Sequence, residues 1–136
     1  MRKIWKKRPF LLNIAGILIL GVLILGLRRQ AEKEEGQILN ETQISFAYHH
    51  FAEGESPEPP FICYLLPGSN NFSVDGKVYY KINEVHIELY TDLKDLAVEQ
   101  QLEDVLDEHG IFYNKSETWI ESEKLYEVLY TFEMEV

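Results

Sequence analysis

A long apolar stretch near the start constrains this chain more than any other feature. Phe10 to Leu27 runs for 18 residues with Asn13 as its one polar side chain. As a helix it spans roughly 27 Å at 1.5 Å per residue, just enough for the hydrocarbon core of a bilayer. Trp5 suits an interfacial anchor and Pro9 a first helical position. Five basic residues precede the stretch (Arg2, Lys3, Lys6, Lys7, Arg8), and Arg28, Arg29 and Lys33 come after it. The positive-inside rule then places the N-terminus inside and the acidic remainder of the chain outside. The stretch closes on Leu27-Arg28-Arg29 without a small-x-small site, so a cleaved signal peptide is not expected. Gly16, Gly21 and Gly26 recur every five residues, which is not the four-residue spacing of a helix-pairing face. The reading is a transmembrane segment within residues 1–29, and 136 residues leave room for one further compact domain.

Charge divides the chain at the same place. Residues 1–29 hold seven basic side chains and no acid. All 23 acids and the remaining six lysines lie beyond residue 29, so the two parts carry +7 and −17, the stated −10 in total. So acidic a domain repels nucleic acid, whose affinity rests on cationic contacts to phosphate. The acid reads either as a solvated surface or as a channel wall to which phosphates do not stick.

Residues 30–43 read as a linker or short helix, and residues 44–136 as an acidic α+β domain. Ile44–Phe51 predicts a first strand. Glu53–Pro60 is a Pro-containing loop. Phe61–Leu66 is apolar on both faces, as a central strand is, and Pro67-Gly68-Ser69-Asn70-Asn71 is turn chemistry. Phe72–Val74 and Lys77–Tyr80 flank Asp75-Gly76, which supplies the positive φ angles of a two-residue hairpin. Val85, Ile87 and Leu89 alternate with Glu84, His86 and Glu88. Asp95–His109 is the one clear helix: Val98, Leu102, Val105, Leu106 and His109 form a stripe, with Asp92 or Asp95 as cap and Gly110 as stop. Phe112–Ser122 reads as an irregular strand. Leu125–Val136 gives the strongest strand signal, with Tyr126, Val128, Tyr130, Phe132, Met134 and Val136 on one face. The order is a linker or short helix, a run of strands, a helix and two strands. Short turns between neighbouring strands imply a mainly antiparallel sheet packed by the 95–109 helix.

No residue set announces chemistry. His49 and His50 are expected to point to opposite faces of a strand and so not to share a metal. His86 and His109 belong to no metal-ligand spacing. Cys63 lies in an apolar run and reads as a small hydrophobe. Glu84 and Glu88 share a strand face, but nothing supplies the raised pKa of a catalytic carboxylate pair. No catalytic, cofactor-binding or metal residues are therefore assigned, and an enzyme is not expected. Tyr48, Tyr64, Tyr79, Tyr80 and Tyr90 lie outside the expected core stripe, and tyrosines are enriched at protein interfaces.

From about residue 44 onward the chain resembles small structural proteins of Firmicute phages and prophages. The resemblance rests on Phe46-Ala47-Tyr48-His49-His50-Phe51, Pro59-Pro60-Phe61-Ile62-Cys63-Tyr64, Gly68-Ser69-Asn70-Asn71-Phe72, Asn83–Tyr90 and Glu117–Glu123. It is similar to the tail-completion, or tail-terminator, type of minor virion protein of long-tailed phages. The resemblance implies a homo-oligomeric ring, typically a hexamer, that ends the tail tube and meets the head connector. It also implies an α+β fold, no catalytic residues and no cofactor, in the virion or the host cytoplasm. The segment Met1–Arg29 departs from the pattern: an early gene start, a fused prophage remnant, or a membrane-anchored protein that recruited the domain each account for it. The competing expectation is a single-pass membrane protein, held through residues 10–27, whose acidic domain binds a protein partner.

Overall fold

In the computed structural model, residues 34–136 are described; the expected hydrophobic helix Phe10–Leu27 lies outside the described residues. No helix among the described residues is long and apolar enough to cross a membrane. The elements run from a helical segment α1 (residues 34–40) to β1 (Ser45–Tyr48), β2 (Phe61–Ser69), β3 (Phe72–Val74), β4 (Lys77–Tyr80) and β5 (Ile82–Thr91). After them come α2 (Leu96–Glu108), β6 (Asn114–Ile120) and β7 (Leu125–Glu135). The class is α+β with a mainly antiparallel sheet, and Gln37–Val136 form one compact unit.

Strict alternation in β5 and β7 sets the centre of the sheet. The two strands pair antiparallel over ten residues, from Ile82 with Glu135 to Thr91 with Tyr126. This register places Val85, Ile87 and Leu89 beside Phe132, Tyr130 and Val128 on one face, all of them buried. Ile62 and Tyr64 of β2 extend that face, and Leu102 and Leu106 of α2 cover it. Burying each such side chain contributes about 1.5–3 kcal/mol. The full sheet order is β1-β2-β5-β7-β6, while β3 and β4 form a separate two-stranded ribbon.

Three expectations change. The first pair of strands is parallel, with Ser45 beside Phe61 and Tyr48 beside Tyr64. A parallel neighbour requires the chain to return before it pairs, and residues 49–60 make that return. Second, β2 continues through Pro67-Gly68-Ser69, where a turn is expected. Its pairing with β5 slips between Leu65 and Gly68, and an irregular stretch of this kind is where a strand tolerates proline, which has no N–H to donate. Third, β1 ends at Tyr48, because His49 adopts φ +65°.

The α2 helix follows the pattern of its sequence as far as His109, which is expected in the buried stripe and instead caps the helix end, exposed. The Asp95 carboxylate accepts from the backbone N–H groups of Ala97 at 3.1 Å and Val98 at 3.2 Å, which caps the first turn. Gly110, at φ +66°, supplies the left-handed residue just past the end. Its buried side extends past the apolar stripe to Glu99, 1% exposed. Upstream of β1, Leu39 and Ile44 complete the core, so the packed unit reaches into residues 30–43, which read as a linker or short helix in the sequence.

Candidate functional site

Among the described residues, the sheet's second face carries no helix. By register it presents Phe61, Cys63 and Leu65 of β2, Glu84, His86, Glu88 and Tyr90 of β5, and Glu127 and Leu129 of β7. The expected pair Glu84 and Glu88 does share this face, but the closer association is Glu88 with Glu127. The Tyr90 hydroxyl donates towards Glu88 at 2.8 Å and Glu127 at 3.2 Å. Burial, and then the neighbouring Glu88 charge, hold the Glu127 carboxyl above its ordinary value. Burial and the two carboxylates push the Tyr90 phenol upward in turn. Cys63, opposite Glu88, has its thiol pushed up to about 11, mainly by burial. It is therefore a protonated thiol at neutral pH rather than a thiolate nucleophile.

The return loop 49–60 folds over one end of this face. Phe51 meets Phe61 edge-on at 5.5 Å, and Phe61 stacks on Tyr90 at 5.1 Å. Between loop and sheet lies a cavity of about 680 Å³ with Phe61, Cys63 and Tyr90 in its wall and the carboxylates of Glu58, Asp92 and Glu123 among its lining. His49 and His50 line it too. Their Nδ1 atoms lie 2.8 Å apart, so the two imidazoles converge where opposite faces are expected. The left-handed turn at His49 removes the strand alternation on which that expectation rests. Among the described residues no group of three or more His, Cys, Asp or Glu side chains is arranged to hold a metal. His86 contacts Glu84 at 2.9 Å and His109 contacts Glu41 at 3.1 Å.

At the opposite end of the sheet stands the β3–β4 hairpin. Asp75 at φ +52° and Gly76 at φ +73° make its turn, as their sequence predicts. Its base is tied to the sheet by the Asn70 N–H donating to the Ile82 carbonyl and the Ile82 N–H donating to the Asn71 side chain. It forms a two-stranded sheet of its own, and every one of its seven strand residues is exposed. Phe72, Val74, Val78, Tyr79 and Tyr80 are 46–66% exposed. Scattered single apolar residues on a surface need no explanation, but five within one nine-residue ribbon form a patch of the kind that marks an interaction site.

The tyrosines divide between core and surface. Tyr64 and Tyr130 are buried, Tyr90 is half-buried on the open face, and Tyr48, Tyr79 and Tyr80 are exposed. Sequence reading missed an ion network beneath α2. The Glu99 carboxylate meets Lys94 Nζ at 2.7 Å and Lys115 Nζ at 2.8 Å. Lys94 also reaches Glu117 at 2.5 Å, and Lys115 reaches Glu103 at 2.6 Å. The Tyr130 hydroxyl donates to Glu103 at 3.1 Å. Burial pushes the Glu99 carboxyl upward, but the hydrogen bonds and charges of Lys115 and Lys94 outweigh it and hold the group below its ordinary value. The network is structural in its placement, fastening β6 and the loop before α2 to the helix.

No family model matches the chain, and no curated protein matches it.

Proposed function

We propose that this protein is a non-enzymatic virion structural protein of a phage or prophage, a tail-completion or tail-terminator ring subunit at the head–tail joint. The observation that carries the assembly part of this reading is the β3–β4 hairpin, which stands apart from the sheet with five large apolar side chains uncovered. A ribbon of this kind offers both apolar area and free backbone edges to a neighbouring subunit. The phage part rests on the resemblance of residues 44–136 to small phage structural proteins. The excess of acid suits a subunit lining a path for DNA, since phosphates are repelled rather than held.

The experiment mixes the full-length protein, in a mild detergent, with the cognate tail-tube protein and images the products by electron microscopy. Tubes capped at one end and arrested in growth are the expected result. Tubes that lengthen unchanged and bind none of the protein refute the proposal. The second reading, a membrane-anchored acidic domain that binds a protein partner, is favoured by one observation, the basic-flanked run Phe10–Leu27. Fractionation of expressing cells tests it: recovery with the membrane after an alkaline carbonate wash supports anchoring, and release refutes it.

A further inference from the structure

Among residues 34–136 there are 22 carboxylate side chains and five lysines. Lys94 and Lys115 are bound in the Glu99 network, and Lys124 is paired with Glu121. Lys77 and Lys81 are the only lysines among the described residues with no carboxylate at ion-pair distance. Both belong to the hairpin, Lys77 opening β4 and Lys81 directly after it. The unpaired positive charge of the unit and its largest uncovered apolar ribbon therefore coincide.

The complementary surface lies at the other end of the sheet. Glu58, Asp92 and Glu123 line the cavity under loop 49–60, and none of the three has a cationic partner among the described residues. The stacked Phe61 and Tyr90 rings supply an aromatic wall beside them. A single copy does not join the two surfaces: Ile82, at the hairpin base, and Tyr90, at the cavity, lie eight residues apart along β5, roughly 26 Å at 3.3 Å per residue.

We infer that the β3–β4 hairpin of one copy docks at the loop 49–60 cavity of a second copy, with Lys77 and Lys81 facing Glu58, Asp92 and Glu123. This specifies the contact beneath the proposed ring assembly and rests on that reading. Tyr79 and Tyr80 bring apolar area with a polar tip to the aromatic wall, the composition enriched in interface centres. Complementary charge favours this contact, because Lys77 and Lys81 are the lysines without a carboxylate at ion-pair distance among the described residues, and Lys124, the lysine in the cavity wall, is already paired with Glu121. Donor and acceptor are different patches at opposite ends of the sheet, so the association is head-to-tail. Such a contact propagates to a closed ring or an open filament rather than ending in a two-fold dimer.

The test uses full-length protein in a mild non-ionic detergent and two charge-reversed variants. One carries Lys77→Glu and Lys81→Glu, the other Glu58→Lys and Glu123→Lys. In sedimentation velocity the parent protein self-associates as concentration rises, and each variant alone associates at least about tenfold more weakly. Mixing the two restores association in 1:1 proportion, because each variant presents charge complementary to the other. Circular dichroism identifies a variant that fails to fold, and the milder pairs Lys77→Gln with Lys81→Gln and Glu58→Gln with Glu123→Gln then replace it. A monomeric parent protein, variants that associate like the parent, or a folded mixture that stays monomeric each overturn the inference. Capped tail tubes without complementation would overturn this contact and leave the proposed function standing. Complementation with uncapped tubes would do the reverse.

Discussion

Replacing Glu99 with glutamine keeps the shape of the side chain and removes its charge. The carboxylate is 1% exposed and receives two ammonium groups, at 2.7 and 2.8 Å. A hydrogen bond to a charged group contributes about 1.5–3 kcal/mol. Two such bonds set an upper limit of about 6 kcal/mol, and two facts lower it. The lysine side chains are 40% and 35% exposed, so water shares their charge, and each retains a second carboxylate, Glu117 or Glu103. Neither cation is therefore stranded, and Glu99→Gln should cost about 2–3 kcal/mol. For a unit of this size that lowers the melting temperature by about 10–20 °C. The effect should also depend on pH. The folded carboxyl is held below its ordinary 4.5, so its contribution is present above pH 4.5 and is lost as pH falls through the lower folded value. The gap between parent and variant therefore closes in acid. Calorimetric or dichroism melts between pH 3 and 7 measure both quantities, with the exposed Glu53→Gln as a control expected to shift stability by less than about 0.5 kcal/mol. A Glu99→Gln variant as stable as that control, or a gap that widens in acid, refutes the reasoning.

Other outcomes rest on the same geometry. Leu39→Ala should cost about 2–5 kcal/mol in denaturant unfolding, because Leu39 is 1% exposed in the core, although the sequence around it reads as a linker or short helix outside the packed domain. Asp95→Ala should cost about 1 kcal/mol by removing the acceptor for two helix N–H groups, and Asp95→Asn should restore most of it. Glu103→Ala should cost about 1–2 kcal/mol rather than nothing, because Lys115 and the Tyr130 hydroxyl both bond to it. In a filter-binding titration at physiological salt, the protein solubilised in detergent and cut back to its acidic unit should retain no duplex DNA at micromolar concentration.

Where one periodicity governs a segment, the sequence was enough. The alternation of β5 and β7, the stripe and both ends of α2, and the Asp75-Gly76 hairpin are each local, and the structure has them where their residues place them. The features that escaped depend on distant partners. Parallel pairing of β1 with β2 is a property of the return path through residues 49–60, and no residue in either strand encodes it. Glu99 and Glu103 sit four apart beside the apolar stripe, and nothing within the helix marks them as paired. The register of β6 against β7, Lys115 beside Tyr130, brings one lysine beneath them, and the loop before α2 brings Lys94 to Glu99. Had β6 been assigned its pairing, Lys115 on the core-facing side of a strand would have signalled a buried acid. His49 and His50 converge because one backbone angle changes sign, which neighbouring side chains do not reveal. For the interaction surface, the hairpin was legible as a hairpin. Its separation from the sheet was not.

The order β5-β7-β6 at one side of the sheet has a consequence for how the chain acquires its structure. The β7 strand lies between two made earlier, so neither β5 nor β6 has its β7 neighbour until Leu125–Glu135 arrive. Only the β6–β7 ribbon is joined by a short turn. The β5–β7 pair closes loops between residues 35 to 53 apart in sequence, at an entropic cost that must be met before its contacts form. During synthesis Val85, Ile87 and Leu89 therefore wait, with the β5 edge open, for residues some forty positions downstream. A chain stalled before Leu125 therefore exposes an apolar strand edge to whatever lies nearby.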